Sequence, residues 1–250
     1  MFENLSHPII FAHRGASAHA PENTLASFGL ALSQGADAVE LDSRLSADGR
    51  VVVIHDPTVD RTTDGHGRVA QLTLAELRSL DAGSFSPEKY CGEKIPLLEE
   101  VFEAVGKKMF INIELKNSAA ACDQLVEKVC ALVKKHGLEK RVILSSFLAS
   151  NLSKARRLLP EVPRGLLVVG GWKGAWTRSF GFSFGDYAAL HPYLTDVTKQ
   201  QIVRVHRLRR RVHVWTVNKA EDMVRLNNWG VDGMLTDDPQ AALRALGRSL

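Results

Sequence analysis

The stretch IIFAHRGASAHAPENT, residues 9–24, runs from an apolar segment directly into a histidine and an arginine, His13 and Arg14. Residues 9–12 have the composition of a buried β-strand, and Gly15, which follows Arg14, predicts a turn. In parallel α/β proteins, the carboxyl ends of the strands form the functional face. The stretch therefore predicts a strand that opens onto a site at its C-terminal end.

Segments like the first strand recur along the chain, and segments with helical apolar periodicity lie between most of them. Eight strands are predicted: PIIFAH (8–13), DAVELD (37–42), MFINIELK (109–116), RVILSS (141–146), RGLLVV (164–169), YAALHP (187–192), RVHVWTV (211–217) and VDGMLTD (231–237). Helices are predicted over 21–35, 98–106, 119–136, 149–158, 198–209, 219–229 and 239–247. In the first helix we expect Asn23 to be the N-cap and Gly35 to end the helix.

Eight strands, most of them followed by a helix, in 250 residues are typical of an α/β fold of the (β/α)8 or TIM-barrel type. The connection after the second strand is too long for one helix. We therefore predict a small insertion over about residues 43–97, packed over one end of the barrel, with an extra strand in RVVVIHD (50–56). A doubly wound open sheet is the alternative, since periodicity alone does not distinguish the two folds.

The composition, 45% hydrophobic and 24% charged residues, is that of an ordinary globular protein, and no linker divides it. We expect a single domain over residues 1–250. The net charge of +4 favours anionic partners weakly. The basic segment RVHRLRRRVHVW (204–215) is interpreted as a solvated helix end rather than a nucleic-acid site, because no aromatic residues interleave with the arginines.

Three cysteines, Cys91, Cys122 and Cys130, form no CxxC pair, which argues against a disulfide framework and a structural zinc site. The sequence contains no apolar run of membrane-spanning length and no signal-peptide pattern. We expect a cytoplasmic protein without membrane insertion. The oligomeric state stays open.

Charged side chains follow a period of two at the ends of two predicted strands. Glu40 and Asp42 end the second strand, and Glu114 and Lys116 end the third. Residues spaced by two point to the same face of a strand, so the three carboxylates should meet at one rim. Without a cation their mutual repulsion would raise at least one pKa strongly. The pattern therefore predicts a divalent metal site with oxygen ligands, Mg²⁺ or Ca²⁺, with Mn²⁺ as a further option because histidines lie nearby.

His55 is the second histidine, after His13, to end an apolar run. Two such histidines beside a metal indicate a general acid and a general base. Arg14 and Lys116 add fixed positive charge that suits a phosphate oxygen. The set predicts phosphoryl transfer. No Walker loop and no GxGxxG after a strand is present, and no GxSxG surrounds Ser145 and Ser146 at the end of the fourth strand.

The motifs HRG, PENT, GADAVELD (35–42), DGRVVVIHDPTVDRTTDGHG (48–67), NIELK, WTVN and GVDGMLTDDP (230–239) together resemble the glycerophosphodiester phosphodiesterase family, especially its short cytoplasmic bacterial type. The resemblance covers residues 9 to about 240. It implies a barrel enzyme that hydrolyses glycerophosphodiesters, such as glycerophosphocholine or glycerophosphoethanolamine, to sn-glycerol 3-phosphate and an alcohol. Ser43 departs from the family, which more often has an apolar residue after ELD, but the predicted ligands are intact.

Carried onto this sequence, the family's catalytic histidines are His13 and His55, and its metal ligands are Glu40, Asp42 and Glu114. The resemblance assigns phosphate contacts to Arg14 and Lys116. It places Trp215 at the rim, where the ring could bound the substrate pocket or fill the barrel. Which histidine is the acid, and whether the nucleophile is water or the glycerol 2-hydroxyl, stay open.

Two other functions compete with this one. An enzyme that hydrolyses lysophospholipids in the manner of a phospholipase D would require an apolar opening to its active site for the acyl chain. No amphipathic segment in the sequence predicts such an opening. A non-catalytic barrel that binds phosphate or nucleic acid is the second alternative. The presence of both histidines and all three carboxylates speaks against lost catalysis.

Overall fold

Eight parallel strands close into a ring in the computed structural model, which describes residues 7–117, 123–171, 174 and 181–248. In chain order the strands are β1 (Ile9–His13), β2 (Ala38–Leu45), β3 (Val51–Val53), β4 (Phe110–Leu115), β5 (Val142–Ser146), β6 (Arg164–Val168), β7 (Ala189–Pro192), β8 (Arg211–Val214) and β9 (Gly233–Thr236). All except β3 belong to the ring. β1 pairs in parallel with both β2 and β9, which closes it.

The prediction of a (β/α)8 barrel is confirmed. Seven of the eight predicted strands contain the observed barrel strand, and the second, predicted over 37–42, is three residues too short at its C-terminal end. The closed ring excludes the doubly wound open sheet, in which the edge strands would stay unpaired.

Helices cover the outside of the barrel. They are Leu25–Ser33, Leu98–Val105, Leu125–Lys135, Ala149–Leu158, Lys199–Arg207, Ala220–Asn228 and Pro239–Ala245, with a single turn at Phe182–Phe184. The predicted bounds are therefore close to the observed ones, most often too long by one or two residues. For the helix predicted over 119–136, residues 119–122 lie outside the described ranges.

The prediction that Asn23 caps the first helix is wrong. Thr24 is the N-cap: its hydroxyl accepts a hydrogen bond from the Ser27 amide, and the Ser27 hydroxyl accepts one from the Thr24 amide. Asn23 has a φ of 57°, and its side chain turns toward β2 instead. Gly35, with a φ of 76°, follows the end of the helix as predicted.

The insertion follows β2, which runs to Leu45, so residues 43–45 belong to the strand rather than to the insertion. β3 pairs with β2 in the antiparallel sense and is shorter than the predicted strand over 50–56. A short helix, Leu74–Ser79, is held by a capping box between Thr73 and Glu76. The insertion has a small apolar core of its own, made by Val52, Ile54, Val59, Val69, Leu77, Ala82 and Ile95.

Apolar side chains fill the barrel and the layer between barrel and helices. The inside is packed by Ile9, Phe11, Ala38, Ile143, Ala189 and Leu235. The polar residues at the C-terminal ends of the strands are placed above this packed interior. Within the described ranges, no helix is both long and apolar enough to cross a membrane.

Candidate active site

A cavity of about 120 Å³ opens at the C-terminal ends of the strands. It is lined by His13, Arg14, Glu40, His55, Asn112, Glu114, Lys116, Ser145, Phe147, Leu167, Trp215 and Leu235. Seven of the eight residues that the sequence analysis selected line this cavity. The eighth, Asp42, lies directly behind it and contacts Lys116 and Arg14.

Strand register brings the charged residues together. His13 on β1 is the register partner of Glu40 on β2, and Asp42 on β2 is the partner of Glu114 on β4. These pairs stand at the same end of three neighbouring strands, and alternation turns their side chains inward. The period of two in the sequence therefore becomes a cluster in space.

Glu40, Asp42 and Glu114 offer carboxylate oxygens that all lie within 4.8 Å of one another. All three side chains are buried. Burial, together with the charges of Asp42 and Glu114, raises the pKa of Glu40 well above its usual value. Burial and Asp42 likewise raise the pKa of Glu114 to about 7, against the opposing charge of Lys116. The folded protein alone therefore disfavours full ionisation of the cluster.

The cluster fits a hard divalent cation. Three buried carboxylates with converging oxygens form the kind of donor set that Mg²⁺ and Ca²⁺ prefer. A bound cation would also remove the repulsion that raises the two glutamate pKa values. Glu40, Asp42 and Glu114 are thus the described residues able to hold a metal together.

Two cationic side chains flank the carboxylates. The Lys116 Nζ lies 3.0 Å from a Glu114 oxygen and 3.4 Å from an Asp42 oxygen. The Arg14 Nε lies 3.3 Å from the other Asp42 oxygen, and the Arg14 amide donates to Glu40 at 3.0 Å. Although burial would raise the pKa of Asp42, the charges of Lys116 and Arg14 lower it to about 2. Asp42 is therefore the member of the cluster that stays ionised.

His13 is held by a carboxylate from the last strand. Its Nδ1 lies 2.7 Å from Oδ1 of Asp237, the residue after β9. Asn218 donates to the other Asp237 oxygen at 2.6 Å, and Ser17 donates to the first at 3.2 Å. This arrangement fixes the ring of His13 and leaves Nε2 as the nitrogen for proton transfer.

His55 is held by its own neighbour in sequence. Its Nδ1 lies 2.6 Å from Oδ1 of Asp56, and Arg61 donates to the other Asp56 oxygen at 2.6 Å. Burial lowers the pKa of His55; Asp42 opposes this, while Lys116 and Arg14 add to the lowering. A neutral imidazole is thereby favoured at this position near pH 7.

Glu22 joins the insertion to the first strand. It accepts two hydrogen bonds from Arg61 at 2.8 Å and one from Arg14 at 3.0 Å. Glu22 thus links a cation on the His55 side of the cavity to one on the His13 side. The insertion is tied by this ion-pair chain to the barrel rim.

The backbone at the end of β1 has an uncommon conformation. Arg14 and Asn23 have φ angles of 58° and 57°, in the left-handed region that non-glycine residues rarely adopt. Gly15 is required here, since a Cβ would lie 2.3 Å from the Ser27 hydroxyl oxygen. Asn23 donates to Oδ2 of Asp42 at 2.9 Å. Strained backbone of this kind often accompanies functional sites, and here it places the Asn23 amide against the Asp42 carboxylate.

Trp215 both bounds the cavity and packs against the barrel interior. Its indole nitrogen donates to the carbonyl of His191 at 2.8 Å, and its ring meets those of Phe147 and Tyr193 edge to face. The ring therefore lines the cavity and also packs against the barrel interior, and its contact with a substrate stays a prediction.

The sequence analysis missed the residues that orient the two histidines and Arg14. They are Ser17, Glu22, Asp56, Arg61, Asn218 and Asp237. A carboxylate beside each histidine could have been sought, since histidines in active sites are commonly oriented by one. Asp56 was visible directly after His55, but the pairing of His13 with a residue 224 positions away was not.

Comparison with known proteins gives a consistent result. Residues 13–241 match the model of the glycerophosphoryl diester phosphodiesterase family. A glycerophosphodiester phosphodiesterase of Caldanaerobacter subterraneus is 40% identical over 236 residues, covering 94% of this chain and 96% of the relative. One of Bacillus subtilis is 37% identical over 250 residues, covering 91% of this chain and 83% of the relative.

Solved structures agree with these relatives. An Oleispira antarctica phosphodiesterase, in complex with the product sn-glycerol-3-phosphate, superposes with a TM-score of 0.85 at 37% identity and covers 96% of this chain and 97% of its own. A glycerophosphodiester phosphodiesterase from Agrobacterium tumefaciens gives a TM-score of 0.81 at 31% identity, covering 94% of this chain and 98% of its own. The chain belongs to the glycerophosphoryl diester phosphodiesterase family.

Proposed function

We propose that the protein hydrolyses glycerophosphodiesters to sn-glycerol 3-phosphate and an alcohol. The observation that carries this is one cavity in which three buried carboxylates, two cations and two carboxylate-held histidines meet. The family match supports the substrate class, and the Oleispira relative holds the corresponding product. Neither a nucleic-acid-binding barrel nor a lysophospholipid-specific enzyme is favoured by these relatives.

Glu40, Asp42 and Glu114 would hold one divalent cation, for which we propose Mg²⁺ or Ca²⁺, with Mn²⁺ as a third candidate. When bound, the cation supplies Lewis-acid polarisation of a phosphate oxygen. Lys116 and Arg14 keep the cluster from carrying unbalanced charge, since both side chains already contact Asp42. We assign these two cations to the phosphate oxygens, where they would stabilise the charge that develops during the reaction.

His13 and His55 move the protons. Because Asp237 and Asp56 occupy their Nδ1 atoms, each ring presents Nε2 as the reacting nitrogen. One histidine takes a proton from the nucleophile, and the other gives a proton to the leaving alkoxide. Trp215 bounds the pocket and helps to keep water from the reacting groups.

The nucleophile is either water or the 2-hydroxyl of the glycerol portion. Attack by the hydroxyl would give a cyclic phosphate first, whereas attack by water would give sn-glycerol 3-phosphate directly. Turnover in ¹⁸O-labelled water, followed by product analysis at early times, separates the two routes. An accumulating cyclic phosphate without label would establish the hydroxyl route.

The experiment that tests the reaction uses purified protein treated with a chelator and then supplied with Mg²⁺, Ca²⁺ or Mn²⁺. Glycerophosphocholine and glycerophosphoethanolamine are the substrates, and a coupled dehydrogenase detects sn-glycerol 3-phosphate. We expect no product after chelation and restored turnover with at least one metal. A folded protein that releases no product with any metal would refute the proposal.

A cytoplasmic location is part of the proposal. Cys91 is exposed and Cys130 is buried, and both carry free thiols. Thiols persist in a reducing compartment, where structural disulfides are rare. Fractionation of the native host followed by detection of the protein would test this location.

A further inference from the structure

Two uncharged, buried polar atoms at the cavity have no hydrogen-bond partner among the described residues. They are Oδ1 of Asn112 on β4 and Oγ of Ser145 on β5, whose residues are 1% and 0% exposed. Both residues line the cavity. Buried polar groups in native proteins are nearly always paired, so exceptions at a cavity indicate a ligand that supplies the missing bonds.

Comparison with the neighbouring serine shows that the lack of a hydrogen-bond partner is specific to the position of Ser145 and is not shared by the whole strand. Ser146, also buried, donates from its hydroxyl to the Leu115 carbonyl at 3.1 Å and accepts from the Leu148 amide at 3.2 Å. Ser146 is therefore satisfied within the protein. Ser145, one residue earlier, faces the cavity and is not.

The two atoms are polar but uncharged, unlike the charged and the apolar side chains that line most of the cavity. An asparagine Oδ1 accepts hydrogen bonds, and a serine hydroxyl both accepts and donates. Neither atom carries charge, and the apolar side chains of Leu167 and Leu235 line the same cavity. A phosphate oxygen would be repelled by the Asn112 acceptor, whereas a hydroxyl group could donate to it. The pair is suited to an uncharged group with hydroxyls.

The size of the space limits that group. The cavity encloses about 120 Å³, far less than the roughly 300–1,000 Å³ of pockets that hold drug-sized ligands. A polyol fragment of a few heavy atoms suits this volume.

We propose that Asn112 and Ser145 bind the hydroxyl groups of the substrate's glycerol portion and thereby select a polyol on one side of the phosphodiester. This inference rests on the proposed function and adds the residues that determine its specificity. A site built to hydrogen-bond hydroxyls discriminates strongly against an analogue that lacks them, because its own buried polar groups are then left unpaired.

The test compares two ligands that differ only in hydroxyl groups, sn-glycerol 3-phosphate and n-propyl phosphate. Calorimetry measures the binding of each to wild type, Asn112→Leu and Ser145→Ala, all loaded with the same saturating Mg²⁺. We expect wild type to prefer sn-glycerol 3-phosphate. In each variant the ratio of the two affinities should fall about tenfold, as expected for the loss of one hydrogen bond. The affinity for propyl phosphate should stay within about twofold of wild type.

Thermal melting separates a binding role from a structural one. Asn112→Leu and Ser145→Ala remove polar atoms that have no protein partner, so both variants should melt at or above the wild-type temperature. Ser146→Ala is the matched control. It removes a satisfied hydroxyl and should lower the melting temperature while leaving the preference for sn-glycerol 3-phosphate unchanged.

Two results would overturn the inference. One is an unchanged preference in both variants. The other is an Asn112→Leu variant that binds Mg²⁺ much more weakly and loses both phosphate ligands equally, which would make Asn112 a metal ligand instead. Turnover of glycerophosphocholine is measured separately. If wild type does not hydrolyse it but the variants lose the hydroxyl preference, the hydroxyl site stands and the proposed reaction fails.

Discussion

The two sides of the barrel mouth are built on opposite principles. The charged side consists of Arg14, Glu40, Asp42, Glu114 and Lys116, from β1, β2 and β4 and the residues that follow them. The apolar side consists of Phe147, Leu167, Trp215 and Leu235, from the remaining half of the barrel. Like charges are buried together on the first side. On the second side, rings pack against one another in ordinary aromatic contacts.

The comparison shows that the functional groups of the charged side reduce the stability of the folded protein. Buried carboxylates with raised pKa values destabilise the ionised folded state, whereas a preorganised charged site of this kind can stabilise charge on a phosphate. The apolar side carries no such conflict, and its contribution is to exclude water and shape the pocket. Changes on the charged side should therefore separate activity from stability, whereas changes on the apolar side should not.

The largest effect is expected from Glu114→Gln. Loss of a ligand to the proposed cation should lower kcat/KM by about 10⁴-fold, since several kcal/mol of charge stabilisation would depend on that cation. Because the folded state disfavours ionised Glu114, the metal-free variant should be more stable than wild type at pH 8. Thermal melting with and without Mg²⁺ measures this, and Mg²⁺ should stabilise wild type only.

Glu99→Gln is the control for that change. Glu99 pairs with Lys135 and Arg50 outside the cavity, so the variant should keep both turnover and stabilisation by Mg²⁺. A Glu114→Gln protein that is still stabilised by Mg²⁺ to the wild-type extent would remove Glu114 from the ligand set.

His13→Ala and His55→Ala should each lower kcat by about 10²–10⁴-fold while the protein stays folded, because each removes a proton-transfer group. Steady-state kinetics with glycerophosphocholine, together with a melting curve, is the measurement. His206→Ala is the matched control, since His206 pairs with Asp232 away from the cavity. Near-normal turnover of either active-site variant would exclude that histidine from the mechanism.

The stability of the metal-free protein should depend on pH through Glu114. Its pKa is raised from 4.5 to about 7 on folding, so the folded state binds the proton more tightly than the unfolded state. The contribution is fully present below pH 4.5 and is lost as the pH rises through 7. In the presence of a chelator, the melting temperature should therefore fall more steeply between pH 5 and pH 8 for wild type than for Glu114→Gln. Parallel curves would contradict the raised pKa.

The smallest effect is expected on the apolar side. Trp215→Phe keeps a ring in the pocket but loses the hydrogen bond to the His191 carbonyl. We expect KM to rise less than about tenfold, kcat to stay close to wild type and stability to fall by about 0.5–1.5 kcal/mol. Trp229→Phe is the control, since Trp229 is the C-cap of helix Ala220–Asn228 and does not line the cavity. This variant should change stability without changing KM. A fall in kcat of more than about 100-fold would mean that Trp215 contacts the reacting groups.

Prediction from the sequence was accurate where local patterns carry the information. Helix Ala149–Leu158 is predicted to the residue, and seven of the eight predicted barrel strands contain the observed strand. It failed at the first helix. Asn23 is a residue type that often caps helices, but its side chain donates to Asp42 on β2, and the local sequence does not reveal this contact. Residues 43–45 were misassigned because β2 continues past the barrel rim and forms an antiparallel hairpin with β3.

The sequence by itself determined the strands, the rim and the chemical types gathered there, whereas the closure of the strands into a ring was decided by the structure. Apolar periodicity marked the strands, and the period of two in residues 40–42 and 112–116 put the carboxylates and Lys116 on one face. Only the tertiary structure decided which groups hold the histidines. Asp237 reaches His13 because β9 closes the ring beside β1, and Arg61 reaches Asp56 and Glu22 because the insertion folds over the rim. The unpaired state of Asn112 and Ser145 was equally invisible, since a missing partner is a property of the whole packed interior and not of any local segment.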